Sequence, residues 1–268
     1  MLAQMYKKLG YLISDNIELL TRKRDEMTPP QRMIFVGPGD FVAIGQEFLG
    51  HFIRIGGLKP DAKVLDVGSG IGRMAVPLTK YLSSNGSYDG FDIVKDGVQW
   101  CQKHITKRLP NFHFLHADIF NREYNTYGKQ LARDYKFPYD DEAYDFVFLT
   151  SVFTHMLQDD VENYAGEIFR VLKEGGRAFI TFFLINEEAR ILMKDGRSEL
   201  TFLDYQSAMY ATSRENPEAV TGYDEAYVRD MFAKKKLKII EPIQYGRWCG
   251  RTHSLSYQDI LILKKQLS

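Results

Sequence analysis

The chain has 268 residues, 44% of them hydrophobic and 18 of them Phe, and its 35 Lys and Arg balance its 35 Asp and Glu. That length buries one substantial core with decorations and hardly two full domains, and the even charge balance argues against a polynucleotide partner. Cys101 and Cys249 are too few for a disulfide framework, no run approaches a membrane span, and the first residues lack the apolar core and cleavage site of a signal peptide, so a cytoplasmic protein with no membrane or nucleic-acid partner is expected.

Met1 to Arg24 reads as a helix, Thr28-Pro29-Pro30 interrupts it, and Gly37-Pro38-Gly39-Asp40 turns the chain into a second helix from Phe41 to Ile55. Apolar runs then alternate with helical periodicity: strand 63–66, helix 71–83, strand 87–92, helix 94–108, strand 111–116, strand 145–150, helix 159–173 and strand 176–184. This is the rhythm of a parallel α/β sheet. A helix from Asp224 to Lys236 leads to strand 237–244 and a last strand from Asp259 to Lys264. The short connection 245–258 suits an antiparallel hairpin better than a crossover.

Val64-Leu65-Asp66-Val67-Gly68-Ser69-Gly70-Ile71-Gly72-Arg73 ends an apolar strand in an acid and follows it with three glycines in alternation. Such a turn leaves backbone bare for a nucleotide-like ligand at a helix start. A dinucleotide fingerprint would need glycine where Arg73 stands, which disfavours a nicotinamide-dependent oxidoreductase, and the acid beside the loop favours a ligand with a positive end.

This segment resembles the first motif of the class I S-adenosylmethionine-dependent methyltransferases, and further matches follow in order. Tyr88-Asp89-Gly90-Phe91-Asp92-Ile93 is similar to the family's second strand, Asn111 to Ile119 to its third, Tyr144 to Met156 to its fourth and Val171 to Thr181 to its fifth. The resemblance covers roughly residues 58 to 184. It implies an α/β fold with a seven-stranded, mostly parallel sheet in the order 3-2-1-4-5-7-6, strand 7 antiparallel, with helices on both faces. It also implies S-adenosylmethionine as cofactor, held by Asp66, Gly68, Ser69, Gly70, Arg73, Asp92, Ile93, Asp118, Ile119 and Thr150, with Asp92 on both ribose hydroxyls, Asp118 on the adenine amino group and Ile119 over the ring. Residue by residue, Asp92 could instead cap the next helix and Asp118 could open a turn.

The division expected is 1–57 as an N-terminal helical extension or lid and 58–268 as the methyltransferase domain, with insertions 120–139 and 185–222. Met33 to Gly45 either covers the methionine end of the cofactor or packs with its helix on the sheet. The aromatic residues Tyr124, Tyr127, Tyr135, Phe137 and Tyr139 either line a pocket or bury one face of a surface helix. Insertion 185–222, with a short strand near Thr201 to Tyr205, is long for a linker and reads as a cap after strand 5.

Methyl transfer needs alignment, exclusion of water and, for an alcohol, a base. His155, in the loop after strand 4, is the candidate base, with loop orientation as its other reading. Tyr245, Arg247, Trp248, Arg251 and His253 lie among glycines and read either as a substrate wall, with an arginine for an anionic group and Trp248 for stacking, or as a hairpin whose Trp248 covers the sheet end and whose arginines face water. Nothing in the residue pattern points to a metal. The reading is transfer of a methyl group to a small molecule, most readily at a hydroxyl oxygen of a metabolite or sugar. Methylation of an aliphatic amine or protein nitrogen and a non-catalytic scaffold are the alternatives, and the motif for planar nitrogens is missing after strand 4, where Thr150-Ser151-Val152-Phe153 stands.

Overall fold

A computed structural model describes Asp15 and residues 24–266. The expected helix Met1 to Arg24 otherwise lies outside the described residues.

The central sheet contains β1 (Lys63–Val67), β2 (Ser87–Asp92), β3 (Phe112–His116), β4 (Tyr144–Leu149), β5 (Leu172–Phe182), β10 (Leu237–Gln244) and β11 (Asp259–Lys265). Its order is β10-β11-β5-β4-β1-β2-β3. Strand β11 runs antiparallel to both β5 and β10, and the other neighbours are parallel. This is the class I methyltransferase sheet.

Alternation along the strands builds two cores, because neighbouring side chains leave opposite faces. Val64, Tyr88, Phe146 and Phe148 pack with α1 (Phe41–Arg54), α2 (Ala75–Tyr81) and α3 (Lys95–Cys101), whose buried contacts include Phe52, Leu78 and Val98. The Phe52 ring of α1 lies tilted against Phe148 at 4.5 Å and edge to face with Phe179 at 4.9 Å, ring centre to ring centre. Leu65, Val67, Phe91, Val147 and Leu149 pack on the other face with α4 (Gln158–Val171) and α6 (Glu225–Lys234) through Val161, Ile168 and Phe232.

Local chemistry sets the helix starts. Asp40 caps α1 by accepting from Ala43 N at 2.7 Å, and Asp224 caps α6 by accepting from Ala226 N and Tyr227 N. Helix α2 begins four residues later than the periodicity predicts, because Gly72 sits at φ +84° and closes a turn onto Ser69 O first. Helix α3 ends in a π turn, Gln102–Thr106. Strand β5 starts at Leu172, earlier than expected. The Gly175-Gly176 pair forms an irregularity inside the strand, between the Leu172–Tyr144 and Arg177–Phe146 pairings, instead of a turn before it.

A second, four-stranded sheet, in the order β6-β9-β8-β7, stands beside the carboxyl end of β5. It comprises β6 (Leu184–Ile185), β7 (Leu203–Gln206), β8 (Met209–Ala211) and β9 (Thr221–Asp224), with α5 (Glu187–Lys194) between β6 and β7. Its own core joins Phe183, Ile185, Leu192, Trp248 and Cys249. In the insertion after β3, Tyr135 and Phe137 pack on Phe91 and Tyr139 packs on Tyr144, so these rings serve the main core in irregular backbone and not a helix. No helix among the described residues is long and apolar enough to cross a membrane.

Candidate active site

A cavity of about 830 Å³ opens where β1, β2 and β4 end. Val67 hands over to the glycine loop, in which Gly68 and Gly70 take φ +86° and +56°. A Cβ at Gly68 would come within 2.4 Å of Val152 Cγ2, and one at Gly70 within 2.6 Å of Val36 Cγ1, so any side chain would collide with the walls of the cavity. Gly68 N and Ser69 N both donate to Phe91 O, which pins the loop to β2.

Asp92 ends β2 and lines the cavity. Its Oδ2 accepts from Gly70 N and its Oδ1 from Val94 N, each at 2.7 Å. The acid thus ties the glycine loop to the turn before Lys95 without capping the helix, whose N-cap Val94 has no side-chain cap bond, and each oxygen keeps a further lone pair. Burial pushes its carboxyl up, and the amides of Val94 and Gly70 oppose the shift. Ser69, Gly70, Arg73, Ile93, Ile119 and Thr150 also line the cavity. Arg73 Nη2 donates to Gly37 O at 3.0 Å, while its buried Nε and the Ser69 hydroxyl have no hydrogen-bond partner. Burial lowers the Arg73 pKa.

Two of the expected cofactor residues stand elsewhere. Asp66 shares the strand face of Val64, so its side chain turns beneath the loop and does not line the cavity. Its Oδ2 accepts from the Tyr88 hydroxyl at 2.6 Å, its Oδ1 is unpartnered, and burial pushes its carboxyl well up. Asp118 is half-exposed, 3.9 Å from Lys129 Nζ, and its main-chain oxygen accepts from Lys129 N and Gln130 N. Of the pair, Ile119 alone lines the cavity.

The loop after β4 carries His155 on a 3-10 turn, Phe153–His155. Its Nδ1 lies 3.0 Å from Glu218 O. A carbonyl can only accept, so Nδ1 carries the proton and Nε2 keeps its lone pair. Desolvation lowers the imidazole pKa and outweighs the main-chain contacts with Glu218 and Ala219 that raise it. The Tyr124 ring meets it edge to face at 5.4 Å. Asn121 Nδ2 joins the two insertions to this loop, donating to His155 O at 3.1 Å and to Glu218 Oε1 at 2.9 Å.

The near-terminal cluster divides in two. Arg247 lines the cavity with Ser256, Tyr257 and Gln258, and Gln258 Nε2 donates to Ser151 Oγ at 2.9 Å. Tyr245, Arg251 and His253 instead line a separate shallow depression with Glu188. Trp248 is no stacking platform: it is wholly buried in the core of the cap, edge to face with Phe183 and Phe202, and its Nε1 donates to Asp259 Oδ2 at 2.8 Å. Ring area and an indole donor satisfied together keep it inside. Arg251 is equally committed, bound to Glu188, Asp259, Asn186 and Gly246 O.

Sequence reasoning overlooked Asn121, Glu218, Glu199, Ser151, Tyr257 and Gln258. Asn121 and Glu218 are 97 residues apart, and no local pattern links them. Among the described residues no group of His, Cys, Asp and Glu is gathered as a metal site.

Residues 58–236 match the family model described as a methyltransferase domain. The chain belongs to the methyltransferase domain family. Its domain is of the S-adenosylmethionine-dependent class. Over 120 residues it is 30% identical to sterol 24-C-methyltransferase erg6 of Schizosaccharomyces pombe, covering 45% of this chain and 27% of that protein. The chain thus spans less than a third of that relative's length. In fold it resembles the PH0226 protein from Pyrococcus horikoshii OT3, with TM-score 0.58 and 15% identity over 87% of this chain and 95% of that one. A SAM-dependent methyltransferase from Aquifex aeolicus aligns with TM-score 0.51 and 18% identity over 82% of this chain and 89% of its own.

Proposed function

We propose that this methyltransferase acts on a hydroxyl oxygen of a small molecule, with His155 as general base. The observation that carries the reading is the imidazole in the cavity wall, with Nδ1 committed to Glu218 O. When bound, S-adenosylmethionine supplies an electrophilic methyl on a sulfonium with a neutral thioether as its leaving group. The residues present fit it: unpartnered Ser69 Oγ and Arg73 Nε face a loop stripped of side chains, and Asp92 offers two oxygens.

In this reading Asp92 holds the ribose diol, Ile93 and Ile119 flank the adenine, and Arg73 meets the methionine carboxylate. Thr150 lies under the cofactor, and Asp66 supports the loop from behind. The stretch Phe35 to Pro38, which also lines the cavity, serves as lid, while the far end of α1 packs on the sheet. Nε2 of His155 takes the acceptor proton as the oxygen becomes nucleophilic, and a neutral base suits this because a cationic imidazole would have no lone pair to offer.

Calorimetric titration with S-adenosylmethionine and S-adenosylhomocysteine tests the cofactor half. Micromolar binding that is lost in a folded Asp92→Ala variant supports it, and unchanged affinity in that variant removes Asp92 from the role. Turnover with radiolabelled methyl donor over alcohol, phenol and amine acceptors tests the other half. Transfer confined to amines would overturn the oxygen assignment.

A further inference from the structure

The cavity's second basic group remains to be explained. Among the described lining residues the arginines and lysines are Arg73 and Arg247, and Arg73 sits at the glycine loop. Arg247 stands on the opposite wall, in the connection between β10 and β11. Its main chain is held by a bond from its N to Ser256 O, and its guanidinium lies 5.8 Å from the centre of the Tyr257 ring. It is exposed, and its guanidinium makes no ion pair and no hydrogen bond among the described residues.

The carboxylates in that half of the cavity are otherwise engaged. Glu218 accepts from Asn121 Nδ2 and Arg122 N, with Arg122 Nε 3.7 Å away. Asp160 accepts from Leu157 N at the start of α4. Glu199 faces Tyr257, whose hydroxyl is pushed up to about 12 by burial and then by that carboxylate. The contrast with Arg251, four residues on, is physical: Arg251 is 5% exposed and fills its donors with Glu188, Asp259, Asn186 and Gly246 O. Arg247 keeps its planar fork of donors open to the cavity.

The wall that carries Arg247 is tied to the loop that carries the base. Gln258 Nε2 donates to Ser151 Oγ, which lies 3.1 Å from Thr154 Oγ1, next to His155. Phe183, Leu200 and Val220 line the same cavity and give it apolar surface. The geometry points to an acceptor with three parts: a hydroxyl for His155, an apolar body, and a carboxylate or phosphate bound by Arg247. This rests on the oxygen-methylation reading above and narrows it to anionic acceptors. A bidentate pairing of guanidinium with either anion is the interaction the open fork favours.

Matched probes test this on the protein loaded with S-adenosylhomocysteine, whose own binding is measured first and reports on the cofactor reading separately. The probes are para-hydroxybenzoate, para-hydroxyphenyl phosphate and the neutral para-hydroxybenzamide, followed by calorimetry and by the Arg247 Nε–H NMR signal, which is identified by its loss in Arg247→Gln. At least one anion is expected to shift that signal saturably and to bind about tenfold more tightly than the amide, with the advantage gone in Arg247→Gln and S-adenosylhomocysteine affinity unchanged. A preference for benzoate or for phosphate distinguishes the two anion classes. Anions that bind no better than the amide, or as well to Arg247→Gln as to the wild type, would overturn the proposal even with the cofactor bound.

Discussion

The two halves of the cavity are built in opposite ways. The half at the glycine loop is assembled from the ends of β1 and β2 within one stretch of chain, and main-chain bonds lock it: Gly68 N and Ser69 N to Phe91 O, Gly70 N and Val94 N to Asp92. The half around His155 draws on Tyr124, Glu218, and Arg247 with Gln258 from three separate segments, joined by side-chain bonds such as Asn121 to Glu218 and Gln258 to Ser151. Parallel strands bring consecutive loops to the same edge of the sheet, so the first half follows from topology. The second half depends on how loops and a small accessory sheet settle against one another, which is where acceptor choice varies on a shared fold.

The contrast is sharpened most by Trp248→Ala. The buried indole anchors the core of the cap, and its removal is expected to cost about 4 kcal/mol of stability. Chemical denaturation measures the loss, and S-adenosylhomocysteine affinity in the folded variant should change little. A matching collapse of cofactor binding would show that the two halves are one unit.

His155→Ala is expected to lower kcat about a hundredfold on a hydroxyl acceptor and leave cofactor affinity intact. The wild-type pH profile carries the same assignment. Because burial lowers the imidazole pKa, the base form persists below the ordinary value of about 6.5, and kcat should rise with pH to a plateau reached before neutrality. An inflection well above neutrality would assign the proton transfer to another group.

Asp92→Asn should weaken S-adenosylhomocysteine binding about tenfold, since one oxygen survives while the charge is lost. Asn121→Ala is the mildest change, about 1 kcal/mol of stability together with a fall in kcat, because it frees Glu218 Oε1 and loosens the loop of His155. If it altered cofactor affinity more than kcat, the division between the halves would fail.

Much of the first half was legible in the residues themselves. Apolar runs alternating with helical periodicity marked the strands, and the short 245–258 connection implied the antiparallel β11. Gly68 and Gly70 announced a bare loop because only glycine tolerates its backbone angles beside Val152 and Val36. The resemblance marked Asp92 at the end of β2 and Ile119 after β3, and both line the cavity. Asp66 and Asp118 show the limit: each has the right position in the chain, but strand parity turns one under the loop and a main-chain turn sends the other outward.

The second half was legible only as a set of residue types. Tyr245, Arg247, Trp248, Arg251 and His253 form one compact group in the chain, but the fold sends Trp248 into a core, Tyr245, Arg251 and His253 to another depression, and Arg247 to the cavity. Side-chain direction in an irregular connection is set by the surfaces it meets, and those come from β5, α5 and the second sheet. Sequence by itself determined the alternation of strands and helices and the glycine loop, because short-range periodicity and glycine geometry act locally, and the resemblance of its motifs implied the strand order and the acid at the end of β2. Tertiary structure alone decided which arginine stays open, how Glu218 O orients His155 and what closes the far wall, because those contacts join segments that packing, and no local pattern, brings together.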